Sequence, residues 1–218
     1  MKQNFSAVIF DLDGTLIDSL MDIADAMNRT LTFFNYPTFN YSEYKYLVGN
    51  GLRSLVYKCL PIDRRDDKNT NEVLTVMMKE YKKSYADKTI LYAGVPTLLD
   101  ALTNKKIKLS VLSNKADSLT QMLADKLLAK WKFEVILGAT DQFSRKPSPE
   151  AALFIAEQVK ILPKNTLYIG DTNVDMQTAN AAGMYAVGVT WGFRERKELE
   201  DNGAKQIIDH PMDLMKYV

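Results

Sequence analysis

The sequence has very little cysteine and histidine, and this scarcity limits the chemistry available to it. One cysteine, Cys59, excludes an internal disulfide bond, and one histidine, His210, leaves too few ligands for most zinc sites. Catalysis by a Cys–His or Ser–His pair is disfavoured for the same reason. Cys59 follows Leu52, Leu55 and Val56 at helical spacing, which predicts a core position, and His210 is expected to be structural. Any catalysis must therefore depend on carboxylates, hydroxyls and lysines.

The chain also lacks an excess of charge and a long apolar segment. Lys and Arg number 28 against 27 Asp and Glu, a net charge of +1, so no broad field attracts nucleic acid or an anionic membrane. No segment is long and apolar enough for a signal peptide or a membrane span, and the expected location is the cytoplasm. The 218 residues, 46% of them hydrophobic, suffice for one large or two small domains. This composition is compatible with a monomer or a homodimer.

The glycine-rich loops of P-loop and dinucleotide-binding proteins are absent as well. The most informative segment is instead 8–19, which reads VIFDLDGTLIDS. The apolar run at 7–10 is typical of a strand buried on both faces of a parallel sheet, and Asp11 and Asp13 follow at its carboxyl end. Ligands of open α/β sheets bind at that edge, so the two carboxylates predict an active site. The alternative is a simple polar turn, because Asp and Gly are common in turns.

From residue 92 onward, short apolar strands alternate with helical segments. Five strands are predicted there, at 107–112, 133–137, 166–170, 184–189 and 206–209. Strands separated by helices predict an α/β fold with a doubly wound, Rossmann-like parallel sheet, which the strand at 7–10 should join. We therefore expect a core domain formed by residues 1–16 and 92–218.

Residues 17–91 are predicted to form an all-helical cap domain inserted after the first strand. Apolar residues recur at helical spacing in three parts of this block, 20–34, 52–60 and 73–85. Asn40 and Glu43 have the spacing of a capping box for a further short helix. Since no strand pattern occurs between Thr15 and Lys88, the whole block is expected to be helical. An inserted module beside a strand-edge site acts as a lid that excludes water and selects substrates.

Three more polar clusters follow predicted strands. They occupy 113–115 (SNK), 146–150 (KPSPE) and 170–175 (GDTNVD). Each cluster alone also fits an ordinary helix cap, a solvated lysine or a capped turn. Because the carboxyl ends of parallel strands meet at one edge of a sheet, all three could face the same crevice as Asp11. Their joint occurrence favours an active site.

These motifs resemble, in order, the four motifs of the haloacid dehalogenase-like hydrolase superfamily. DLDGT at 11–15 is similar to the first, Ser113-Asn114 to the second, Lys146-Pro147 to the third, and Gly170-Asp171 with Asp175 to the fourth. Longer runs, RKPSPE at 145–150 and YIGDTNVD at 168–175, resemble the phosphoglycolate phosphatase branch. The predicted helical insertion matches the cap of that branch.

The resemblance implies a phosphatase that works through an aspartyl-phosphate. Asp11 would be the nucleophile and Asp13 the general acid and base, with Ser113 and Lys146 as further catalytic residues. The phosphate group would be bound by Leu12, Gly14, Thr15, Ser113, Asn114 and Lys146. The implied cofactor is Mg²⁺, whose ligands would be Asp11, the backbone carbonyl of Asp13, Asp171 and, partly through water, Asp175.

Other functions remain open at this point. A dehalogenase is disfavoured, because carbon–halogen cleavage needs no proton donor at position 13. A sugar phosphomutase shares the acidic pair and the cap, and an idle phospho-ligand binding module could keep the motifs for structure. Arg53 or Lys45 of the cap is a candidate to bind a small anionic leaving group, as in phosphoglycolate, although both fit equally well as surface charges. The expected partner is a small phosphate ester.

Overall fold

The computed structural model describes residues 5–218, which contain eight strands, nine α-helices and three short 3-10 helices. The strands are β1 (Ala7–Phe10), β2 (Ile17–Asp18), β3 (Ile90–Leu91), β4 (Lys108–Ala116), β5 (Phe133–Ala139), β6 (Thr166–Gly170), β7 (Tyr185–Val189) and β8 (Gln206–Ile208). The α-helices are α1 (Leu20–Phe33), α2 (Tyr41–Leu47), α3 (Leu52–Cys59), α4 (Asp67–Ser84), α5 (Val95–Asn104), α6 (Asp117–Leu127), α7 (Glu150–Val159), α8 (Asn173–Ala181) and α9 (Arg196–Asp201). The 3-10 helices are Ile62–Arg64, Pro163–Asn165 and Pro211–Lys216. Within these described residues, no helix is both long and apolar enough to cross a membrane.

Six strands form one parallel sheet in the order β5-β4-β1-β6-β7-β8. β1 lies in the middle, where Phe10 pairs with Val111 of β4 on one side and with Ile169 of β6 on the other. All of β1 is buried, as expected of a strand covered on both faces. The chain adds β4 and β5 on one side of β1 and then β6 to β8 on the other. The order therefore reverses at β1, and the predicted doubly wound α/β fold is confirmed.

Helices cover both faces of the sheet. Val8 and Phe10 pack in a cluster with residues of α5 and α6. Ala7 and Ile9 belong to a second cluster, on the opposite face, with residues of α7 and α8. Because side chains alternate between the two faces of a strand, β1 contributes to the apolar clusters on both sides of the sheet.

The predicted strands agree with the sheet to within two residues, except at β4. This strand continues beyond residue 112 to Ala116, with its pairing to β5 interrupted between Leu112 and Ala116. The polar segment 113–115 is thus a distorted continuation of the strand. The apolar pattern ends at residue 112, so the extension could not be predicted from it.

The helices α1 to α4 pack around an apolar cluster of their own. Its members include Ile23, Met27, Leu31, Tyr44, Leu55, Cys59, Val73, Met77 and Tyr81. Cys59 is buried there as predicted, and burial raises the pKa of its thiol to about 12, which makes it unreactive. Asn40 and Glu43 form the predicted capping box of α2. We keep 17–91 as the proposed bounds of the cap, the name used below for this helical block.

The prediction that 17–91 contains only helices is wrong at its first and last two residues. Ile17 and Asp18, in β2, pair antiparallel with Leu91 and Ile90, in β3. Two residues are too few for an alternating pattern to be recognised in a sequence. This short ribbon joins the two connections between the core and the cap.

A buried carboxylate reinforces the ribbon. Asp22, in the first turn of α1, is 2% exposed. Its Oδ2 accepts hydrogen bonds from the amides of Lys88 (3.0 Å) and Thr89 (2.8 Å) and from the Thr89 hydroxyl (2.6 Å). The chain leaving the cap is therefore held against the first helix that it entered.

We expect Asp22→Ala to lower the free energy of unfolding by about 2–3 kcal/mol, because it leaves several buried hydrogen-bond donors without an acceptor. Asp25→Ala is the matched control, since Asp25 lies on the same helix but pairs with Lys88 Nζ at the surface (2.7 Å). That exposed pair should contribute about 1 kcal/mol or less. Urea unfolding of both variants measures the difference, and equal losses would contradict the role given to Asp22.

Candidate active site

The acidic turn lies at the carboxyl end of β1, in the middle of the sheet. The amide of Asp11 donates to the carbonyl of Ile169 (2.8 Å), which keeps Asp11 beside β6, and the carbonyl of Leu12 accepts hydrogen bonds from amides later in the turn. Gly14 has a φ of 91°, and a Cβ there would lie 2.3 Å from Asp171 Oδ2. The turn thus needs glycine both for its backbone conformation and for its close approach to Asp171.

Three carboxylates meet at this edge of the sheet. Asp11, Asp171 and Asp175 each offer an oxygen within 4.8 Å of the others, and all three residues are buried. Asp171 directly follows β6, and Asp175 lies in the first turn of α8. The Asp171 carboxylate accepts hydrogen bonds from the Thr15 hydroxyl (3.1 Å) and the Phe193 amide (2.8 Å). Its orientation is therefore fixed from two sides.

Lys146 supplies the cation of the cluster. Its Nζ donates to Asp11 Oδ1 (2.7 Å), to Asp175 Oδ1 (2.8 Å) and to the carbonyl of Leu112 (3.1 Å). The Asn114 side chain holds the backbone of Lys146, accepting from its amide (3.0 Å) and donating to its carbonyl (3.2 Å). The second and third predicted motifs thus form one unit.

Burial governs the charges in this cluster. It raises the pKa of Asp11 well above its usual range; Lys146 opposes that rise, and the other two carboxylates add to it. Burial, helped by Asp175, raises the pKa of Asp171 to about 7. Burial alone would lower the pKa of Lys146, but Asp11 and Asp175 raise it well above normal, so the ammonium stays charged. One ammonium does not balance three carboxylates, and the cluster favours a further cation.

The available ligands fit a hard divalent ion. The cluster offers carboxylate oxygens and no sulfur or imidazole nitrogen, the combination that suits Mg²⁺. Asp175 Oδ2 accepts from the amide (3.1 Å) and the hydroxyl (2.7 Å) of Thr172 in the capping box of α8. Hydrogen bonds of this kind orient a ligand before the ion binds. Asp11, Asp171 and Asp175 could therefore hold Mg²⁺.

A small cavity separates this edge of the core from the cap. It is lined from the core by Asp11, Asp13, Ser113, Asn114 and Lys115, and from the cap by Ile23, Val48, Gly49, Gly51, Leu52 and Leu55. Its cavity volume of about 30 Å³ leaves little room for a phosphate ester. The cap is thus closed over the site, and we expect it to move when an ester binds.

The structure brings most of the predicted site residues to one place. These are Asp11, Leu12, Asp13, Gly14, Thr15, Ser113, Asn114, Lys146, Asp171 and Asp175. Arg53 is not among the cavity residues; its Nη2 pairs with Asp67 at the surface (2.7 Å). Lys45 does not line the cavity either. The binding of a leaving group by Arg53 stays a prediction.

Lys115 belongs to the site, although its sequence context predicted no role for it. Its Nζ lies 2.9 Å from both carboxylate oxygens of Asp13, and its side chain is 3% exposed. Lys115 is the third member of the polar cluster at 113–115. From the sequence alone, a lysine there is equally consistent with a solvated surface charge, because its partner Asp13 lies 102 positions away.

A second contribution that the sequence analysis missed comes from the loop after β7. The amide of Phe193 contacts Asp171, and the Phe193 ring packs in the apolar cluster of the cap. Arg194 donates to cap carbonyls at the end of α2, those of Lys45, Tyr46 and Val48. This loop therefore connects a carboxylate of the site directly to the cap.

The sequence profile of the haloacid dehalogenase-like hydrolase family matches residues 8–189, a range that contains all four motifs. The chain belongs to this family. Among relatives of the hydrolase, the phosphoglycolate phosphatase of Pseudomonas putida is 32% identical over 206 residues, 93% of this chain and 75% of that protein. The phosphoglycolate phosphatase of Aquifex aeolicus is 32% identical over 209 residues, 96% and 94% of the two chains.

Solved structures agree with the family assignment. A predicted phosphoglycolate phosphatase from Haemophilus somnus 129PT superposes on the hydrolase with a TM-score of 0.89 and 26% identity, covering 97% of both chains. A haloacid dehalogenase-like hydrolase from Streptococcus pneumoniae gives a TM-score of 0.87 at 25% identity, covering 98% of both. The resemblance stated from the motifs is confirmed, and the hydrolase acts on phosphoric monoesters.

We expect Lys146→Ala to reduce kcat by about 100-fold or more, because it removes the ammonium that pairs with Asp11 and Asp175. Lys108→Ala is the control. Lys108 is also partly buried and bonded to a backbone carbonyl, that of Val159, but it lies at the amino end of β4, away from the site. Steady-state kinetics with circular dichroism of both variants tests this. Near wild-type turnover by folded Lys146→Ala would remove Lys146 from the catalytic residues.

Proposed function

We propose that this chain is a Mg²⁺-dependent phosphatase that hydrolyses a small phosphate monoester, of the kind of phosphoglycolate, through an aspartyl-phosphate on Asp11. One observation carries the proposal. The Asp11 carboxylate lies among two further carboxylates and a buried ammonium, at the floor of a cavity that also holds Asp13. A nucleophile, charge balance and a second carboxyl for proton transfer thus occur together.

Asp11 would act as the nucleophile in this reaction. Its Oδ1 contacts Lys146, and the other carboxylate oxygen attacks phosphorus in line with the leaving oxygen. The bond between phosphorus and the leaving oxygen breaks as the bond to Asp11 forms. Ser113 and Asn114 line the same cavity and would donate hydrogen bonds to the phosphoryl oxygens through a hydroxyl and a backbone amide. Lys146 would offset the charge that Asp11 and the phosphoryl group share.

Asp13 would transfer protons in both halves of the reaction. It gives a proton to the leaving oxygen in the first step and takes one from the water that hydrolyses the aspartyl-phosphate in the second. Mg²⁺, held by Asp11, Asp171, the backbone carbonyl of Asp13 and partly through water by Asp175, would supply positive charge to the phosphoryl oxygens. The hydrogen bonds that fix Asp171 and Asp175 support this ligand set.

The cavity walls and the relatives support a small substrate. The cap side consists of aliphatic side chains and glycines, and Lys115 is the one cation among the described residues that line the cavity. A space this small favours a short leaving group. The two relatives described above are named for phosphoglycolate, whose leaving group is small and carries a carboxylate.

We expect turnover of a phosphate ester panel to require Mg²⁺, to cease with EDTA, and to be lost in Asp11→Asn, because the amide is not a nucleophile toward phosphorus. Acid quenching during turnover, followed by mass spectrometry, should find phosphate on the peptide that contains Asp11. Phosphoglycolate should rank among the better substrates by kcat/KM. The control is Asp100→Asn, whose carboxylate pairs with Lys130 at the surface and should leave turnover unchanged.

The result would contradict the proposal if no ester is hydrolysed above the level of Asp11→Asn with Mg²⁺ present. That outcome would favour the idle binding module. Release of sugar phosphate isomers in place of inorganic phosphate would favour a phosphomutase. Activity that survives EDTA would overturn the Mg²⁺ requirement alone.

A further inference from the structure

The carboxylate of Asp13 is held by residues that the reaction itself does not need. Lys115 Nζ lies 2.9 Å from each of its oxygens, and the Ser19 hydroxyl donates to its Oδ1 (2.5 Å). Among the described residues, Lys115 Nζ has one further hydrogen-bond partner, the hydroxyl of Tyr81, at 3.0 Å. The same ammonium lies 4.9 Å from the centre of the Tyr81 ring. Asp13, Lys115 and Tyr81 therefore form a continuous chain of contacts.

This chain crosses from the core to the cap. Asp13 follows β1 and Lys115 belongs to β4, whereas Tyr81 is in α4, the longest helix of the cap. The Tyr81 ring is fully buried in the apolar cluster of the cap, so its position is fixed by α1, α3 and α4. A residue of the cap thus places its hydroxyl one contact away from the proton-transfer group of the core.

We propose that Tyr81 is a positioning residue: it holds Lys115 against Asp13, so that Asp13 has its working orientation only while α4 is docked on the core. The inference rests on the proposed phosphatase function and deepens it. The positioning of Asp13, the general acid and base, then depends on closure of the cap. No other described cap residue forms a hydrogen bond with Lys115 Nζ.

The position of Asp13 matters because proton transfer needs hydrogen-bond reach of the leaving oxygen. A displacement of about 1 Å can cost about 100-fold in rate. Attack by Asp11 does not involve Tyr81 or Lys115, since Asp11 is held by Lys146. Loss of the Tyr81 hydroxyl should therefore slow esters whose leaving oxygen must be protonated, and spare esters whose leaving group departs as an anion.

The chain supplies a matched control for this test. Tyr44 is a second fully buried tyrosine of the cap cluster, and among the described residues its hydroxyl also has one side-chain partner, Asn28 Oδ1, at 2.7 Å. Tyr81→Phe and Tyr44→Phe each remove one buried hydroxyl and keep the ring. If Tyr81 serves the cap only as packing, the two variants should behave alike.

The experiment compares two substrates with saturating Mg²⁺: p-nitrophenyl phosphate, whose leaving group needs no proton, and the alkyl phosphate that the wild-type protein hydrolyses fastest. The measured quantity is kcat/KM, because it reports the steps up to loss of the leaving group and not hydrolysis of the aspartyl-phosphate. For Tyr81→Phe we expect kcat/KM to fall about tenfold or more with the alkyl phosphate, and to stay unchanged with p-nitrophenyl phosphate. Tyr44→Phe should change neither value.

Lys115→Met provides a second variant and should show the same selectivity with a larger loss. Equal losses on both substrates in Tyr81→Phe, or no loss on either, would overturn the positioning role. A selective loss in Tyr44→Phe as large as that in Tyr81→Phe would overturn it too. If the wild-type protein hydrolyses neither substrate with Mg²⁺, the proposed function itself fails, which is a distinct result.

Discussion

One buried ammonium, Lys146 Nζ, lies between two of the three carboxylates that share a small volume at the end of β1. Carboxylates at such distances repel one another strongly in a buried environment, and the neighbouring ammonium makes their proximity tolerable. The arrangement also requires a glycine where the backbone passes close to the carboxylates. A Cβ on Gly170 would lie 2.2 Å from that of Asp175, and glycine there lets α8 begin directly beneath the site. Charge balance and backbone clearance together set how the loops of the core can run.

The core and the cap contribute different groups to the site. The core supplies the charged groups, and its geometry comes from parallel strands whose carboxyl ends meet. The cap supplies an apolar roof, the Ser19 hydroxyl that donates to Asp13, and the Tyr81 hydroxyl that contacts Lys115. The connections between them are clamped by Asp22 and by the ribbon of β2 and β3. Opening and closing can therefore alter the roof and the hold on Asp13, while the carboxylates around Lys146 stay in place.

The part of this structure that the sequence could predict is the part with local signals. The apolar run at 7–10 followed by Asp11 marked the central strand and the site, and alternation of strands with helices marked the sheet. The capping box of α2 was visible because its two residues are three apart. Motifs at successive strand ends could be grouped because parallel topology brings such ends together.

Other features depend on contacts between distant residues and leave no local trace. The ribbon of β2 and β3 pairs segments more than 70 positions apart with two residues each. Lys115 and Tyr81 look like an ordinary lysine and an ordinary core tyrosine until the fold places them together. Arg53 had the right charge for an anionic ligand, but in the folded chain its guanidinium pairs with Asp67. Pattern and composition specify the architecture, whereas the partner of a single charge depends on tertiary packing.

The contact of Arg194 with the cap differs from the side-chain contact of Lys115 with Tyr81 between the core and the cap. It is made to carbonyl oxygens of the main chain at the end of α2, and any sequence that forms a helix there presents the same oxygens. The adjoining residues Val48, Gly49 and Gly51 form part of the roof of the cavity. Side chains in this part of the cap can therefore be exchanged without removing the acceptors that dock it. Where such side chains select the substrate, as expected of a cap, new specificities can evolve while the cap stays attached to the core.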